Sequence, residues 1–259
     1  MRALLSALMI AALAATGSRA EEADGGVASP AKSCEVPAYL TETGAKLAKV
    51  ADKVKTDRAL DIVVVGSGSS NLSGPDGAAA AYPARLQAYL VQKLPGVAVQ
   101  VTTDLHPRQT AEEVAEALEK TIAPRKPTLV IWQTGTVDAI KSIDADDFRS
   151  AINDGIAALK AAGSNVILMN PQYNPRMETM VSFTTYLDTM RVVAQDTDVP
   201  LFDRFSVMRH WTEVGDFDLS ATTHSLALAK GVHDCIGRAL ADMVVEASKL
   251  NPAELRIQR

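Results

Sequence analysis

Five short apolar runs recur along this chain, Ile62–Val65, Val97–Val101, Leu129–Trp132, Val166–Met169 and Val199–Phe202, and the stretches between them have helical period. Strands that alternate with helices in this way form parallel sheets, because a parallel neighbour is reached only by a crossover. The intervening segments place apolar residues on one face: Leu86, Leu90 and Leu94; Val114, Leu118 and Ile122; Phe148, Ile152, Ile156 and Leu159. Each such helix has one face to bury against the sheet. Right-handed crossovers and strands buried on both faces predict an α/β fold, a three-layer α/β/α sandwich around a central five-stranded parallel sheet of flavodoxin-like type. In such sheets ligands sit beyond the carboxyl ends of the strands, so chemistry is expected there.

A chain of 259 residues with 47% apolar and 22% charged content suits one such domain with an ample core. The N-terminus reads differently. Arg2, an apolar run from Ala3 to Ala15, and the small residues Ser18 and Ala20 have the order of a secretory signal over residues 1–20, cleaved near Glu21. The run is shorter than the roughly 20 residues that span a bilayer. Residues 21–33 are small, polar and Gly/Pro-containing, a disordered leader, and residues 34–259 are expected to form the domain. The chain is therefore expected to be exported, periplasmic or secreted, with no membrane span after cleavage. Loss of Arg2 and Arg19 leaves 24 basic against 31 acidic residues, and such a surface does not favour nucleic acid or anionic lipid.

Cys34 and Cys235 are the only cysteines. In an oxidising compartment they are expected to pair, tethering the start of the domain to its last helix; two unpaired thiols are the alternative. No His/Cys/Asp group has metal-ligand spacing, and no cofactor is expected.

The strand ends carry the polar motifs. The first run empties into Gly66-Ser67-Gly68-Ser69-Ser70. The third continues as Gln133-Thr134-Gly135-Thr136-Val137-Asp138, and Pro171-Gln172-Tyr173-Asn174-Pro175 follows the fourth. Together with Tyr82-Pro83-Ala84-Arg85-Leu86 and the stretch Pro200 to Trp211, these words resemble, in order, an exported branch of the SGNH (GDSL-type) hydrolases. The resemblance runs from about Cys34 to the C-terminus. It implies a serine esterase or lipase-like ancestry, with a serine at the third position of the first motif, a Gly and an Asn as oxyanion donors, and an Asp-x-x-His pair near the end.

Carried over residue by residue, those positions are largely substituted. The nucleophile falls on Gly68, which has nothing to acylate. The oxyanion glycine falls on Arg108 and the Asn donor on Val137, whose side chain donates no hydrogen bond. Counting back from the helix that contains His233-Asp234-Cys235 puts His224 at the acid's place and Ala227 at the histidine's; a gap would instead bring His224 or His233 to the histidine's place. Loss of a triad nucleophile alone can cost about 10⁶ in turnover and further losses little more, so such substitutions accumulate together.

Two readings follow. In the first, the chain keeps the fold without the usual Ser-His-Asp chemistry and binds a small-molecule or cell-envelope ligand in a pocket lined by Ser67, Ser69, Gln133, Asp138, Gln172 and Tyr173. In the second, Ser67 or Ser69 is a relocated nucleophile served by His106, His224 or His233, with Asp138 or Asp218 as orienter, because triads are defined by geometry. For the serines, turn chemistry is the plain alternative, as is structural hydrogen bonding for Gln133, Gln172 and Tyr173. The sequence Gly66-x-Gly68-x-x-Asn71 approaches a dinucleotide fingerprint but lacks the third glycine and the acidic residue that holds a ribose.

Overall fold

The computed structural model describes residues 34–220 and 225–257. The expected signal peptide (1–20), the leader (21–33) and His224 lie outside the described residues. Five strands, β1 (Ala59–Gly66), β2 (Ala98–Leu105), β3 (Leu129–Gln133), β4 (Asn165–Met169) and β5 (Leu201–Phe202), form one parallel sheet in the order β2-β1-β3-β4-β5. The helices are α1 (Ala48–Asp57), α2 (Gly77–Ala80), α3 (Tyr82–Lys93), α4 (Ala111–Ala117), α5 (Thr136–Lys141), α6 (Ala145–Ala161), α7 (Pro175–Glu178), α8 (Thr184–Asp196), α9 (Arg204–Glu213), α10 (Leu226–Ala247) and α11 (Pro252–Ile257).

Strand residues alternate between two apolar layers, as the period of two requires. Leu60, Ile62, Val64, Leu129, Ile131, Ile167, Met169 and Phe202 pack with α1, α3, α9 and α10. Val63, Val65, Val130, Trp132, Val166 and Leu168 pack with α4, α6 and α8. Both faces are thus covered, and the expected three-layer architecture is the observed one.

The elements depart from the sequence pattern where side chains interrupt it. The second helical stretch is broken: α4 ends at Ala117, and residues Leu118–Ile122 form a wider π-type turn before a 3₁₀ turn containing Pro124. Leu118 and Ile122 are buried nevertheless. The last strand shrinks to two residues, because Pro200 has no N–H to give, although its carbonyl still accepts from Leu168 N at 2.9 Å. At the opposite edge, Gln87 Oε1 accepts the N–H of Val101 in β2 at 2.7 Å.

The chain winds outward from β1 to β2 and then returns to the other side of β1 to form β3. The loops after β1 and β3 therefore diverge, leaving a crevice at the carboxyl ends of adjacent strands.

Cys34 and Cys235 are joined in a disulfide with 5.2 Å between their Cα atoms, as expected. Cys235 lies in α10 and is buried. Beside it, Trp211 Nε1 donates to the Glu35 carbonyl at 2.9 Å, so the first described residues are held twice against the same layer. The bond spans 201 residues, which strongly restricts the unfolded chain. The double variant Cys34→Ala/Cys235→Ala is expected to lose about 2–5 kcal/mol in chemical unfolding, read as a lower denaturant midpoint.

Candidate functional site

After β1 the chain makes a single 3₁₀ turn, Gly68–Ser70, closed by Ser70 N to the Ser67 carbonyl at 2.9 Å. The turn folds tightly over the end of its own strand. A Cβ at Gly66 would collide with Ser70 Oγ, so glycine is required there. Gly68 is the opposite case: it is exposed, and a Cβ built on it meets no atom within 4 Å.

The serines of this turn are gathered by Gln133, the last residue of β3. Ser70 is buried and donates to Gln133 Oε1 at 2.6 Å, which leaves its own oxygen to accept from the Tyr82 hydroxyl at 2.9 Å. Ser69 Oγ donates to the same Oε1 at 3.3 Å, and Gln133 Nε2 donates to Ser67 Oγ at 3.2 Å. Ser67 and Ser69 are half-buried with their oxygens 3.3 Å apart. One amide thus locks the loop after β1 to the end of β3.

Beneath this loop lies Arg204, the first residue of α9, 1% exposed. Nη2 donates to Gln172 Oε1 at 2.6 Å, and Nη1 is 3.5 Å from Ser69 Oγ and 3.9 Å from the Met169 sulfur. Nε has no partner among the described residues, and the guanidinium carbon sits 6.0 Å from the Tyr82 ring centroid. Asp203, its neighbour in sequence, turns elsewhere: it accepts from Asn170, from the α9 N–H of Ser206 and from Arg191. No carboxylate among the described residues pairs with Arg204, and burial lowers its pKa to about 10. A guanidinium still remains a cation at neutral pH.

Buried His233, in α10, borders the same region. Its Nδ1 accepts the backbone N–H of Tyr82 at 3.0 Å, which places the ring proton on Nε2. Burial, and then the positive charge of Arg204, lower its pKa to about 3. Its lone pair is therefore spent on the start of α3, and the ring takes no proton from a serine at neutral pH.

The other residues singled out in the sequence are placed as follows. Asp138 is buried and accepts the N–H of Ala111 at 2.8 Å, joining α5 to the first turn of α4; burial raises its pKa. Asp218 accepts from Ser220 N and Oγ. Tyr173 packs edge-on against Phe205, with ring centroids 5.2 Å apart. Ala227 is exposed in the first turn of α10. Arg108 is exposed with φ +67°, the left-handed conformation natural to glycine, which is the residue type the resemblance implies there. Val137 lines a narrow cleft of about 10 Å³ with Gly66, Ser67, His106, Gln109 and Gln133. His106 Nδ1 meets Gln109 Oε1 at 2.9 Å, and its Nε2 is 3.2 Å from Asp104 Oδ1. Among the described residues no serine of the turn hydrogen-bonds an imidazole. No group of three or more metal-ligating side chains occurs among them either.

The structure thus brings Ser69 and Gln172 to Arg204, joins Ser67 and Gln133 to Ser69, and leads Asp138 and Tyr173 into neighbouring packing. The sequence reading did not single out Arg204 as a site residue. Its signal was a charge on a buried stripe: Arg204, Val207, Met208 and Trp211 share one helical face, and all four are buried.

A covered parallel sheet, a small-residue turn after the first strand and polar groups converging at the strand ends define the SGNH-hydrolase fold. Residues 33–250 match the model of the non-GDSL lipase-like family, and the chain belongs to that family. Among solved structures it resembles TesA, at 19% identity and a TM-score of 0.56 over 70% of this chain and 98% of that one. An acetylxylan esterase, Axe2 from Geobacillus stearothermophilus, is similar at 17% identity and a TM-score of 0.55, over 74% and 94% of the two chains. A putative lipolytic protein of the G-D-S-L family from Desulfitobacterium hafniense DCB-2 aligns at 18% identity and a TM-score of 0.51, over 71% and 99%. At these identities the likeness is one of fold. Comparison with curated protein sequences finds no match.

The neutral state of His233 has a measurable consequence. The unfolded chain takes up a proton at this residue near pH 6.5, while the folded chain resists it down to about pH 3. Stability is therefore lost as pH falls through this window and is unaffected by this group above it. The parent is expected to lose on the order of 1.4 kcal/mol per pH unit relative to His233→Asn, measured by chemical unfolding between pH 6.5 and 4.

Proposed function

We propose that this is an exported protein whose strand-end loop binds a small ligand of the cell envelope, without the Ser-His-Asp esterase chemistry associated with its fold. The observation that carries this reading is the state of the nucleophile's seat. Gly68 stands there with open space around it, and the imidazole of His233 has given its lone pair to the backbone amide of Tyr82. Among the described residues Ser67, Ser69 and Ser70 are engaged with Gln133 and with no base. A hydroxyl without a base is a poor nucleophile at neutral pH. Export is supported by the sequence of residues 1–20 and by the disulfide. No helix among the described residues is long and apolar enough to cross a membrane.

One observation favours a second reading, an active carboxylester hydrolase. His106 lines the same narrow cleft as Ser67 and lies beside the Asp104 carboxylate, a neighbourhood in which a relocated Ser67 would form an acyl-enzyme. Against it, the second ring nitrogen of His106 is occupied by Gln109.

Hydrolysis of short-chain aryl esters by the mature protein separates the two. The expected outcome is turnover at the level of buffer for the parent, unchanged in Ser67→Ala, Ser69→Ala and His106→Gln. Turnover in the parent that falls by a factor of 10² or more in Ser67→Ala or Ser69→Ala would establish a relocated nucleophile and overturn the proposal. Gly68→Ser is expected to fold as the parent does, because its side chain meets open space, and to gain little activity, since no base among the described residues faces it.

A further inference from the structure

We infer that a second site, a cleft between α8 and α9 closed by the segment joining α7 to α8, takes a free zwitterionic amino acid with an apolar side chain. The cleft shares no residue with the turn Ser67–Ser70, and its occupancy is independent of what the strand-end loop binds.

The cleft encloses about 490 Å³, within the range of small-molecule sites. Part of its lining is apolar: Phe183, Leu187 and Phe205 are buried in the layer that α8 forms against the sheet, and each presents an edge to the cleft. Met180 also lines it and is 72% exposed, although a large apolar side chain gains from cover. An apolar group of a ligand finds its partners here.

Three charged side chains line the cleft, and internal pairing leaves two of them usable. Arg191 is spent: Nε and Nη2 donate to Asp203 at 3.3 and 2.8 Å, and Nη1 donates to Asp188 at 2.8 Å. Arg209 is engaged only through Nε, 3.5 Å from Glu213, which leaves the terminal donors of its fork for a carboxylate. Glu178, at the end of α7, has no ion pair or side-chain hydrogen bond among the described residues. Burial and then Glu178 raise the pKa of Tyr173, whereas Arg209 lowers it, so both charges act on one hydroxyl. No ion pair joins them.

A ligand with a carboxylate alone leaves Glu178 unmatched, and one with an ammonium alone leaves Arg209 unmatched. An α-amino acid carries both groups on one carbon and gives each a charge-assisted partner. With Asp188, Asp203 and Glu213 beside the two arginines, carboxylates outnumber guanidiniums around the cleft, which disfavours a purely anionic occupant. The apolar lining then selects among amino acids by side chain.

Calorimetric titration of the intact mature protein with leucine tests this. Four probes run beside it: isocaproate, which lacks the ammonium group; isopentylamine, which lacks the carboxylate; glycine, which lacks the apolar side chain; and glucose, an uncharged polar control. Leucine is expected to bind at least tenfold more tightly than any of them. Glu178 and Arg209 are exposed, so Glu178→Gln and Arg209→Gln are expected to keep the thermal midpoint within a few degrees of the parent's. Glu178→Gln is expected to erase the advantage of leucine over isocaproate and retain that over isopentylamine; Arg209→Gln is expected to do the reverse.

Absence of leucine binding at millimolar concentration, binding of any of the four probes as tight as that of leucine, or unchanged leucine affinity in either variant would overturn the inference. Ester turnover bears only on the loop after β1 and, whichever way it comes out, leaves this site standing or falling on the titrations alone.

Discussion

A sheet covered on both faces has nowhere but its strand ends to assemble polar side chains without burying them unpaired, and this constraint organises the molecule. Ile62 and Val64 are committed to one apolar layer, Val63 and Val65 to the other. Polar chemistry begins only where β1 runs out at Gly66. Because the chain reverses its direction of winding between β2 and β3, the loops after β1 and β3 separate, and Gln133 bridges them by binding serines of the first from the end of the second. The site is a product of topology before it is a product of catalytic need.

The same cluster shows which parts of the strand-end loop are fixed by packing and which are not. The glycine at position 68 leaves the local backbone unstrained, whereas Gly66 and Ser70 preserve the tight turn. His233 caps the start of α3, a structural task that takes up the lone pair of its Nδ1. Arg108 keeps the left-handed backbone of a glycine position while carrying a long side chain. At each of these positions the backbone and packing are well defined.

The five apolar runs made the sheet and its two layers legible, because a strand buried on both faces needs an uninterrupted apolar run and a helix beside it needs a stripe. Ends of elements were less legible. Pro200 shortened β5 by withholding an amide, and the turn after Ala117 widened although Leu118 and Ile122 keep helical spacing and burial. Around the site, Ser67, Ser69, Gln133 and Gln172 could be marked from their place after strands, since topology decides where strand ends converge. The direction of Asp138 toward the first turn of α4, and the choice of Asp203 for Arg191 rather than its neighbour, depend on contacts between distant segments. Arg204 was visible as a charge on an apolar stripe, but its lack of a carboxylate became apparent only in three dimensions.

The Gln87 side chain that accepts the Val101 amide bears on how the sheet meets other molecules. An exposed parallel edge presents alternate amides to any passing strand, and recruitment of a further strand would begin with those groups. On β2 one of them is already taken from within the chain, and at the far side β5 offers only two residues. One glutamine and one proline thus shorten the run of free groups that each margin of the sheet offers to a further strand.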